Sequence, residues 1–314
     1  MTVIEEICVD MTTTQMKYAL EIAQTGSMTA AAQNLFLSQP NLSKAMKELE
    51  DEIGIKIFIR STKGVKPTRE GEEFLANARV IYEQIVNFDA MYASDKSNTT
   101  NLTFCGPRAT YISLGFTDFL NTLHNRKQIH VNIRELGTKS TIEHVAGGEA
   151  HIGVVRYIDV SENYMMTILR ERGLEYEPLL EFEPVLVMSE KHPLAAKEEL
   201  FESELDEYIE LVHGDMEEQT SNGNRLLRKR ASKRIYLYER ASQGDILSNV
   251  HTTYMWMSRI PESVRRAGGL VVKRCVDRKV VNRDILIYRK GHIFNPDEKV
   301  LVECIKRRIE GIKD

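Results

Sequence analysis

The first fifty residues place apolar side chains three and four positions apart, a spacing that predicts short amphipathic helices. Residues that commonly cap helices separate them: Gly26 can end the first helix, Ser27 can begin the second, and Ser38 can begin the third. Pro40 falls in the first turn of the third helix, where its missing N–H leaves no hydrogen bond unmade. We therefore predict a bundle of three helices, the second covering residues 29–35.

The third helix has two chemically different faces. At about 100° per residue, one face gathers the apolar side chains, and the opposite face carries Pro40, Ser43, Lys44 and Lys47. The apolar face comprises Leu42, Ala45, Met46, Leu49 and Ile53. Two helices joined by a short turn, with small polar and cationic side chains facing outward from the second, are typical of a helix-turn-helix DNA-binding unit. The same pattern also fits the solvated face of an ordinary helical bundle.

A hairpin rich in cations follows the third helix. Alternating isoleucines predict a strand over residues 55–60, and residues 65–68 predict a second, shorter strand. No acidic residue interrupts the segment 60–69, whose cations are Arg60, Lys63, Lys66 and Arg69. Cations in this position can neutralise DNA phosphates, while side chains of the neighbouring helix contact base edges. The hairpin, or wing, therefore favours DNA binding over a plain helical bundle.

A long helix is predicted for residues 70–95. Its apolar positions recur at alternating spacings of four and three residues, which is the heptad pattern of a helix that pairs with a second chain. This heptad stripe comprises Phe74, Ala78, Ile81, Ile85, Phe88 and Tyr92. A helix that lies on its own domain is the alternative. Pairing predicts a homodimer or homotetramer, in which two DNA-binding units act together.

The second half of the chain alternates strands and helices, which predicts α/β architecture. Its first strand is predicted at 102–105, and strands at 130–136 and 152–155 follow with helices between them. Another apolar strand, 184–188, opens a second unit of the same kind. The chain should therefore contain two α/β subdomains after the helical region.

Composition and charge narrow the class of protein. The formal net charge is −4, so a DNA-binding surface must be local rather than spread over the chain. The four cysteines form no CxxC pair, no apolar run reaches the roughly 18 residues of a membrane span, and the N-terminus lacks a signal-peptide pattern. We therefore expect a cytoplasmic protein with no cofactor and no membrane contact.

The sequence also lacks the common catalytic motifs GxSxG, HExxH, GxGxxG and the P-loop, so we expect no enzyme activity. A strand boundary separates His144 from His151, which argues against a metal pair. Cys105 could be a redox sensor, but its apolar neighbours favour a buried, unreactive thiol. The basic segment 225–234 is interpreted as a solvated helix face or a subunit contact.

The segment 15–71 resembles the winged helix-turn-helix of LysR-type transcriptional regulators. The matching features are the alanine-rich helix after Gly26-Ser27, Ser38-Gln39-Pro40-x-Leu42-Ser43, Leu49-Glu50, Gly54, Phe58, Arg60 and Thr68-x-x-Gly71. Lys44 stands where many members of that family have arginine, which keeps the charge but weakens bidentate guanine recognition. The resemblance implies binding to double-stranded promoter DNA and leaves a contact with RNA polymerase open. The residues expected at the DNA are Ser27, Thr29, Ser38, Gln39, Pro40, Asn41, Ser43, Lys44, Lys47, Arg60, Lys63, Lys66 and Arg69.

The second half resembles the effector domains of the same family in the stretches SEKHPLAAKEEL and GGEAHIGVVR, although His151 replaces the usual aspartate. The implied architecture is two α/β subdomains around a cleft, as in type-2 periplasmic binding proteins. Ligands in such folds bind at the carboxyl ends of strands and at helix N-termini. The candidate effector-binding residues are Arg108, Thr110, Thr138, Ser140, Arg156, His213 and Gln243.

An anionic effector is favoured by the chemistry of these candidates. Arg108 and Arg156 can bind a carboxylate, and the helix that begins at Thr138 offers backbone N–H groups. The alternative is that both arginines are solvated or pair with Glu135 or Asp159. A solute-binding component of a transport system has the same layout and is a second hypothesis, which the missing signal peptide disfavours.

These features predict four regions along the chain. An N-terminal extension, 1–10, precedes a winged helix-turn-helix domain, 11–69, and a linker helix for dimerisation, 70–95. An effector-binding domain, 96–314, completes the chain. Its subdomain I covers about 100–183 and 278–314, and its subdomain II covers about 184–277.

Overall fold

The protein is represented by a computed structural model, which describes residues 11–61, 64–92, 99–215 and 231–313. Several sequence predictions fall outside these residues and stay predictions. They concern the extension 1–10, Lys63, most of the basic segment 225–234, and the side chain of Tyr92.

The chain divides into two compact units, one holding 1–94 with 147–149 and the other holding 95–146 with 150–314, as far as they are described. The first unit comprises α1 (Thr13–Thr25), α2 (Met28–Asn34), α3 (Gln39–Ile53), β1 (Phe58–Ser61), β2 (Gly64–Pro67) and α4 (Arg69–Tyr92). The three predicted helices are therefore present, and α2 begins and ends one residue earlier than predicted.

Side-chain caps begin the helices of the first unit as predicted. Ser27 Oγ accepts a hydrogen bond from Ala30 N (3.3 Å), and Ser38 Oγ accepts one from Asn41 N (3.4 Å). Gly26 ends α1 with a left-handed φ of 62°. The apolar sides of the three helices then meet in one core, which includes Ala19, Ile22, Ala31, Leu42, Met46 and Leu49.

The turn between α2 and α3 has an unusual conformation at Phe36. Its φ of 56° lies in the left-handed region, which costs a residue with a side chain about 1–2 kcal/mol. Its side chain is 96% exposed. Leu35 and Leu37, on either side, are half-buried against the core of the first unit. The turn therefore leaves the Phe36 ring in solvent.

The hairpin is shorter than predicted. β1 begins at Phe58, so the prediction of a strand from Ile55 was wrong. The carboxylate of Glu50 accepts hydrogen bonds from Ile57 N (2.9 Å) and Phe58 N (3.1 Å), which occupies donors that a neighbouring strand would need. The backbone of α4 also passes close by, because a Cβ on Gly71 would lie 2.0 Å from the Ile57 carbonyl oxygen. Only glycine fits at that position.

The beginning of α4 packs on its own unit, whereas side chains farther along are more exposed. Phe74 is half-buried against the core of the first unit, and Leu75 and Ala78 are buried. Including Ala78 in the heptad stripe was therefore wrong, because its side chain has no surface left for a second chain. Ile81 and Phe88 are 41% and 63% exposed. The exposed part of the stripe thus begins at Ile81.

The second unit contains the α/β region. Its elements are β3 (Thr99–Gly106), α5 (Thr110–Asn121), β4 (Gln128–Glu135), α6 (Thr138–Ala146), β5 (Ile152–Ile158), α7 (Glu162–Glu171), β6 (Leu174–Phe182), β7 (Val185–Ser189), β8 (Ile209–His213), β9 (Arg234–Leu237), α8 (Ala241–Asn249), β10 (Thr253–Met257), α9 (Glu262–Ala267), β11 (Leu270–Lys273), β12 (Asn282–Arg289) and α10 (Pro296–Lys313). They form sheet I, with strand order β4-β3-β5-β12-β6, and sheet II, with strand order β11-β7-β10-β8-β9.

Both sheets are mixed. Strands β3, β4 and β5 run parallel in sheet I, as do β8, β9 and β10 in sheet II, and the remaining strands pair antiparallel. The chain crosses from sheet I to sheet II through residues 183–184 and returns through residues 274–281. This arrangement confirms the predicted α/β architecture of two subdomains.

Apolar side chains cover both faces of sheet I. On one side, α5 and α10 contribute Phe116, Phe119, Leu301 and Ile305 to a buried cluster. On the other, α6 and α7 contribute Ile142, Val145, Met165 and Leu169. Because α5 and α6 begin directly after the parallel strands β3 and β4, their N-termini lie at the same edge of the sheet.

Candidate functional site

Helix α3 turns one face to the core and the other to solvent. Leu42, Met46 and Leu49 are buried, as predicted. The exposed side chains are Gln39, Pro40, Asn41, Lys44 and Lys47, and Ser43 is half-buried. Lys44 Nζ lies 3.8 Å from Glu48 Oε1, but an ion pair this exposed holds neither group firmly. A face of amide, hydroxyl and ammonium groups can hydrogen-bond to base edges and phosphates.

The wing lies beside the start of α2. Val65 N donates a hydrogen bond to Gly26 O (2.9 Å), immediately before the capping residue Ser27. Strands β1 and β2 pair antiparallel, with Arg60 opposite Val65. The exposed side chains around this contact are Thr29 on α2, Arg60 and Lys66 on the wing, and Arg69 at the start of α4. The predicted cations of the described wing are thus all at the surface.

Two ion pairs join the half of the second unit built on sheet I to the half built on sheet II, and we call them the latch. Arg108 follows β3, and its Nη1 donates to both carboxylate oxygens of Asp215 at 2.7 Å. Arg240 precedes α8, and its Nε donates to Glu135 Oε1 at 2.6 Å. In this structure the guanidinium of Arg108 therefore binds a carboxylate of the chain itself, and its predicted contact with an effector carboxylate stays a prediction.

Close backbone contacts accompany the latch. Arg108 Nη2 donates to Tyr238 O at 2.6 Å. A Cβ on Gly137 would lie 2.5 Å from Asp215 O, so a side chain there would push the two halves apart. Arg108 Nε and Arg240 Nη2 are buried without a hydrogen-bond partner among the described residues. The latch therefore closes the two halves but leaves cationic donors that an anion could satisfy.

His213, at the end of β8, lies within this cationic surrounding. Burial and, to a smaller extent, the positive charge of Arg108 lower the pKa of its imidazole to about 4, while Asp215 acts in the opposite direction. Its Nδ1 is buried and has no hydrogen-bond partner among the described residues. His213 is therefore neutral at physiological pH, and its orphaned nitrogen faces a site that is already positive.

Arg156 is a structural residue rather than a ligand for the effector. Its Nε and Nη2 each donate to the Asp284 carboxylate at 2.7 Å, and Tyr111 Oη donates to the same carboxylate at 2.5 Å. Burial disfavours the charge of Arg156, but the Asp284 charge outweighs it and raises the pKa of the guanidinium. Burial and the same carboxylate raise the pKa of Tyr111. The predicted partners, Glu135 and Asp159, were wrong for Arg156.

Thr138 and Ser140 lie in the first turn of α6 as predicted. Thr138 Oγ1 donates to Arg156 O (2.6 Å) and accepts from Arg156 N (3.3 Å), so its hydroxyl holds β5 rather than a ligand. Ser140 is half-buried, and Thr110 is buried at the start of α5. Gln243 Nε2 contacts the sulfur of a methionine in β10 at 3.5 Å. Of the seven predicted effector residues, the structure thus brings Arg108 and His213 to the latch.

Burial and ion pairing bear on the reactivity of the cysteines and on the basic segment 225–234. Cys105 is fully buried, as expected for an unreactive thiol, and burial followed by a hydrogen bond to Asp277 raises the pKa of Cys275 to about 12. Arg234 lies on a strand and pairs with the buried Glu210 at 2.8 Å, so interpreting it as part of a solvated helix face was wrong. Within the described ranges, no group of three or more His, Cys, Asp or Glu side chains could hold a metal ion. No described helix is long and apolar enough to span a bilayer.

Sequence analysis missed Asp215, Arg240 and Asp284. Asp284, the lone carboxylate of β12 (NRDILIYR) and directly before its apolar run ILIY, is a recognisable signal for a buried ion pair. Asp215 and Arg240 have no comparable signal, because they follow strands in polar segments where charged residues are common. Their role became visible only when the two sheets were placed together.

Comparison with known proteins identifies both parts of the chain. Residues 13–72 match the family described as "Bacterial regulatory helix-turn-helix protein, lysR family", and residues 117–310 match the "LysR substrate binding domain". The regulator BenM of Acinetobacter baylyi is 30% identical over 168 residues, which are 51% of this chain and 52% of BenM. The matched stretches span about half to two thirds of the length of the first curated relatives.

Solved structures show the same fold along nearly the whole chain. Full-length OxyR from Pseudomonas aeruginosa superposes with a TM-score of 0.66 at 20% identity, covering 94% of this chain and 95% of OxyR. CbnR in complex with its target DNA superposes with a TM-score of 0.54 at 20% identity, covering 95% of this chain and 100% of CbnR. The match to the LysR substrate binding domain alone spans more than half of the residues of this chain. The chain therefore belongs to the LysR family of bacterial regulatory helix-turn-helix proteins.

Proposed function

We propose that the protein is a sequence-specific DNA-binding transcriptional regulator whose activity is controlled by a small anionic effector. The observation that carries the DNA-binding part is the solvent face of α3, which is polar and cationic directly opposite the buried Leu42, Met46 and Leu49. We further propose that it acts in the cytoplasm, where promoter DNA is present, and that it has no catalytic role. Family membership favours this function over a solute-binding component of a transporter.

Base-specific contacts would come from α3, and the wing would bind the backbone. Gln39 and Asn41 carry amides that can pair with adenine, and Lys44 carries a cation that can reach guanine or phosphate. Arg60 and Lys66 carry single charges on an exposed hairpin, which suits phosphate contacts that position the helix without selecting a sequence. CbnR, which shares this fold, has been solved with its target DNA.

We propose that the exposed stripe on α4 forms the contact between two copies. Ile81 and Phe88 present apolar surface on α4, with 41% and 63% of their side chains exposed. A two-fold dimer would place two copies of α3 on one duplex, so that two modest affinities combine. The proposed boundaries are those predicted above: 11–69 for DNA binding, 70–95 for dimerisation and 96–314 for effector binding.

For the effector we propose that Asp215 and Glu135 occupy positions that anionic groups of the ligand take over. Arg108 and Arg240 are the only latch cations, each bound here to a carboxylate from the opposite half of the described second unit. Arg108 Nε and Arg240 Nη2, which have no hydrogen-bond partner among the described residues, would bind further oxygens of an incoming carboxylate or phosphate. Binding would then shift the equilibrium between closed and open arrangements of the two halves.

The DNA-binding proposal is tested by selecting duplexes from a random-sequence pool with the full chain. Gln39→Ala and Ser43→Ala should relax the selected sequence while the melting temperature stays unchanged, because both side chains contribute little to the core. Lys17→Ala, an exposed lysine on α1, is the matched control and should select the wild-type sequence. Recovery of no preferred sequence by the wild-type chain would refute the proposal.

The effector proposal is tested by thermal shift with small carboxylates such as acetate, succinate and citrate, and with their neutral amides. A carboxylate that binds should raise the melting temperature, and Arg108→Met should abolish that increase. Arg126→Met is the control, because Arg126 forms a comparable ion pair with Asp297 (2.6 Å) that is not part of the latch. Equal shifts from carboxylates and amides would show that the site does not select anions.

A further inference from the structure

Phe36 combines two unfavourable features in the isolated chain. Its ring is 96% exposed, and it is the only non-glycine residue with a positive φ among those that the structure describes. Glycine or asparagine would adopt the same turn with less strain, and a polar side chain would be better solvated. Neither feature helps the domain to fold, so the structure of the first unit does not by itself explain a phenylalanine at this position.

The turn that carries Phe36 is held firmly. Phe36 N donates to Gln33 O (3.1 Å), and Leu37 N donates to Ala32 O (2.8 Å). Leu35 and Leu37 both pack against the core of the first unit. Because both neighbours are anchored inward, the residue between them cannot turn its ring to the core without breaking this packing.

The ring stands at the approach to α3. Phe36 precedes the capping residue Ser38 by two positions, and Gln39 and Asn41 follow in the first turn of the helix. Anything that docks on this end of α3 therefore comes close to an exposed aromatic ring. The surrounding α3 side chains are amides and ammonium groups, so their partner must be polar and negatively charged, with some apolar surface for the ring.

We propose that Phe36 contacts the duplex that α3 binds, through the apolar surface of a thymine C5-methyl group or a deoxyribose. Phenylalanine is among the side chains that contact thymine methyl groups in the major groove. This inference rests on the proposed DNA-binding function. A protein partner fits less well, because a protein interface is built on a contiguous apolar patch. Among the described residues of 11–61, the large exposed apolar side chains are Phe36 and Ile59 alone.

The test uses the full chain with Phe36→Asn and Phe36→Gly, measured against the duplex that the wild-type chain selects. Both variants should melt at or above the wild-type temperature, because they relieve the left-handed strain. Their affinity for the selected duplex should nevertheless fall about 5- to 20-fold, within the range for loss of one contact to a base. Ile293→Asn, which replaces a side chain that is 63% exposed in the second unit, should bind with wild-type affinity.

Single replacement of thymine by uracil distinguishes the two sources of apolar surface, because uracil lacks only the methyl group. A thymine contact predicts one position at which uracil weakens the wild-type chain but not Phe36→Asn. A deoxyribose contact predicts no such position, together with an equal loss of affinity by Phe36→Asn on selected and unselected duplexes.

Three outcomes would overturn the inference, and they are distinguishable. Wild-type affinity of both Phe36 variants, with Gln39→Ala impaired, would remove Phe36 from the interface and leave the proposed function standing. A change in oligomeric state by light scattering, with unchanged affinity, would assign the ring to a second copy of the chain. Failure of the wild-type chain to select any duplex would refute the proposed function and this inference with it.

Discussion

The solvent face of α3 and the latch are both built from polar and charged side chains. Only the latch residues form ion pairs with one another. Gln39, Asn41 and Lys44 face water, which solvates them at little cost. Arg108 and Arg240 are enclosed between two halves of the second unit and hold carboxylates from the opposite half. A surface that binds a large polyanion can stay solvated by water until the polyanion binds. A buried cation, in contrast, needs a counter-charge even when no ligand is present.

This difference predicts opposite effects of substitution in the two regions. Changes on α3 should alter affinity and leave stability alone, because the side chains there have few partners within the chain. Changes in the latch or in the buried Arg156–Asp284 pair should alter stability or closure, because each of these groups forms an ion pair with another.

The largest effect is expected for Asp284→Asn on β12 of sheet I. Removing the carboxylate leaves Arg156 buried without a counter-charge, which should lower the free energy of unfolding of the second unit by about 3–5 kcal/mol. Gln39→Ala on α3 should change stability by less than about 0.5 kcal/mol. Denaturant unfolding measures both. Asp118→Asn, which breaks a more exposed ion pair with Arg308, should cost far less than Asp284→Asn, and equal losses would contradict the special role of burial.

The next test concerns oligomerisation. It asks whether the exposed stripe of α4 contacts a second copy of the chain. Ile81→Glu combined with Phe88→Glu places charges on the exposed stripe of α4 and should yield monomers by light scattering. Ile293→Glu, at another exposed apolar side chain, is the control and should keep the wild-type mass. A dimer that persists in the double variant would show that the stripe is not the contact.

The pH dependence of stability should reveal His213. Its folded pKa of about 4 lies below the unfolded value of about 6.5, so the unfolded chain takes up the proton first as the pH falls. The stability that neutral His213 contributes is complete above pH ~6.5 and is lost as the pH falls towards 4. His213→Gln should therefore reduce the loss of stability over this window by ~1–3 kcal/mol, whereas His130→Gln, at an exposed histidine, should not. Equal pH profiles for wild type and His213→Gln would contradict this account.

The smallest effect is expected on the wing. Lys66→Ala should make the logarithm of DNA affinity less dependent on the logarithm of salt concentration by about one unit of slope, because one phosphate contact is lost. Its unfolding free energy should stay at the wild-type value. Lys17→Ala on α1 should leave the slope as it is. An unchanged slope for Lys66→Ala would mean that this part of the wing does not touch phosphate.

Features that depend on neighbouring residues could be predicted from the sequence. Ion pairs between residues far apart in the chain could not. The caps at Ser27 and Ser38 and the two faces of α3 follow from residues a few positions away. Arg108 and Asp215 are 107 positions apart, and Arg156 and Asp284 are 128 apart, so no local pattern could pair them. The heptad spacing of α4 was also insufficient, because it marks an apolar side without showing whether the chain's own core or a second chain covers it.

Two crossovers connect the half built on sheet I to the half built on sheet II. The shorter one, residues 183–184, contains a proline, and Arg274 Nη2 of the longer one donates to Glu183 Oε2 at 3.2 Å. The longer crossover is held to the sheet II half by a hydrogen bond from Val276 N to Leu200 O (2.9 Å).

We expect two adjacent connections to favour a rotation of the halves about the line through both. Opening of the second unit is then a single motion rather than a loosening of separate contacts. A ligand that draws Asp215 away from Arg108 by such a rotation would separate Glu135 from Arg240 as well. The two ion pairs of the latch would break together, so the response to an effector would be close to all-or-none in each subunit.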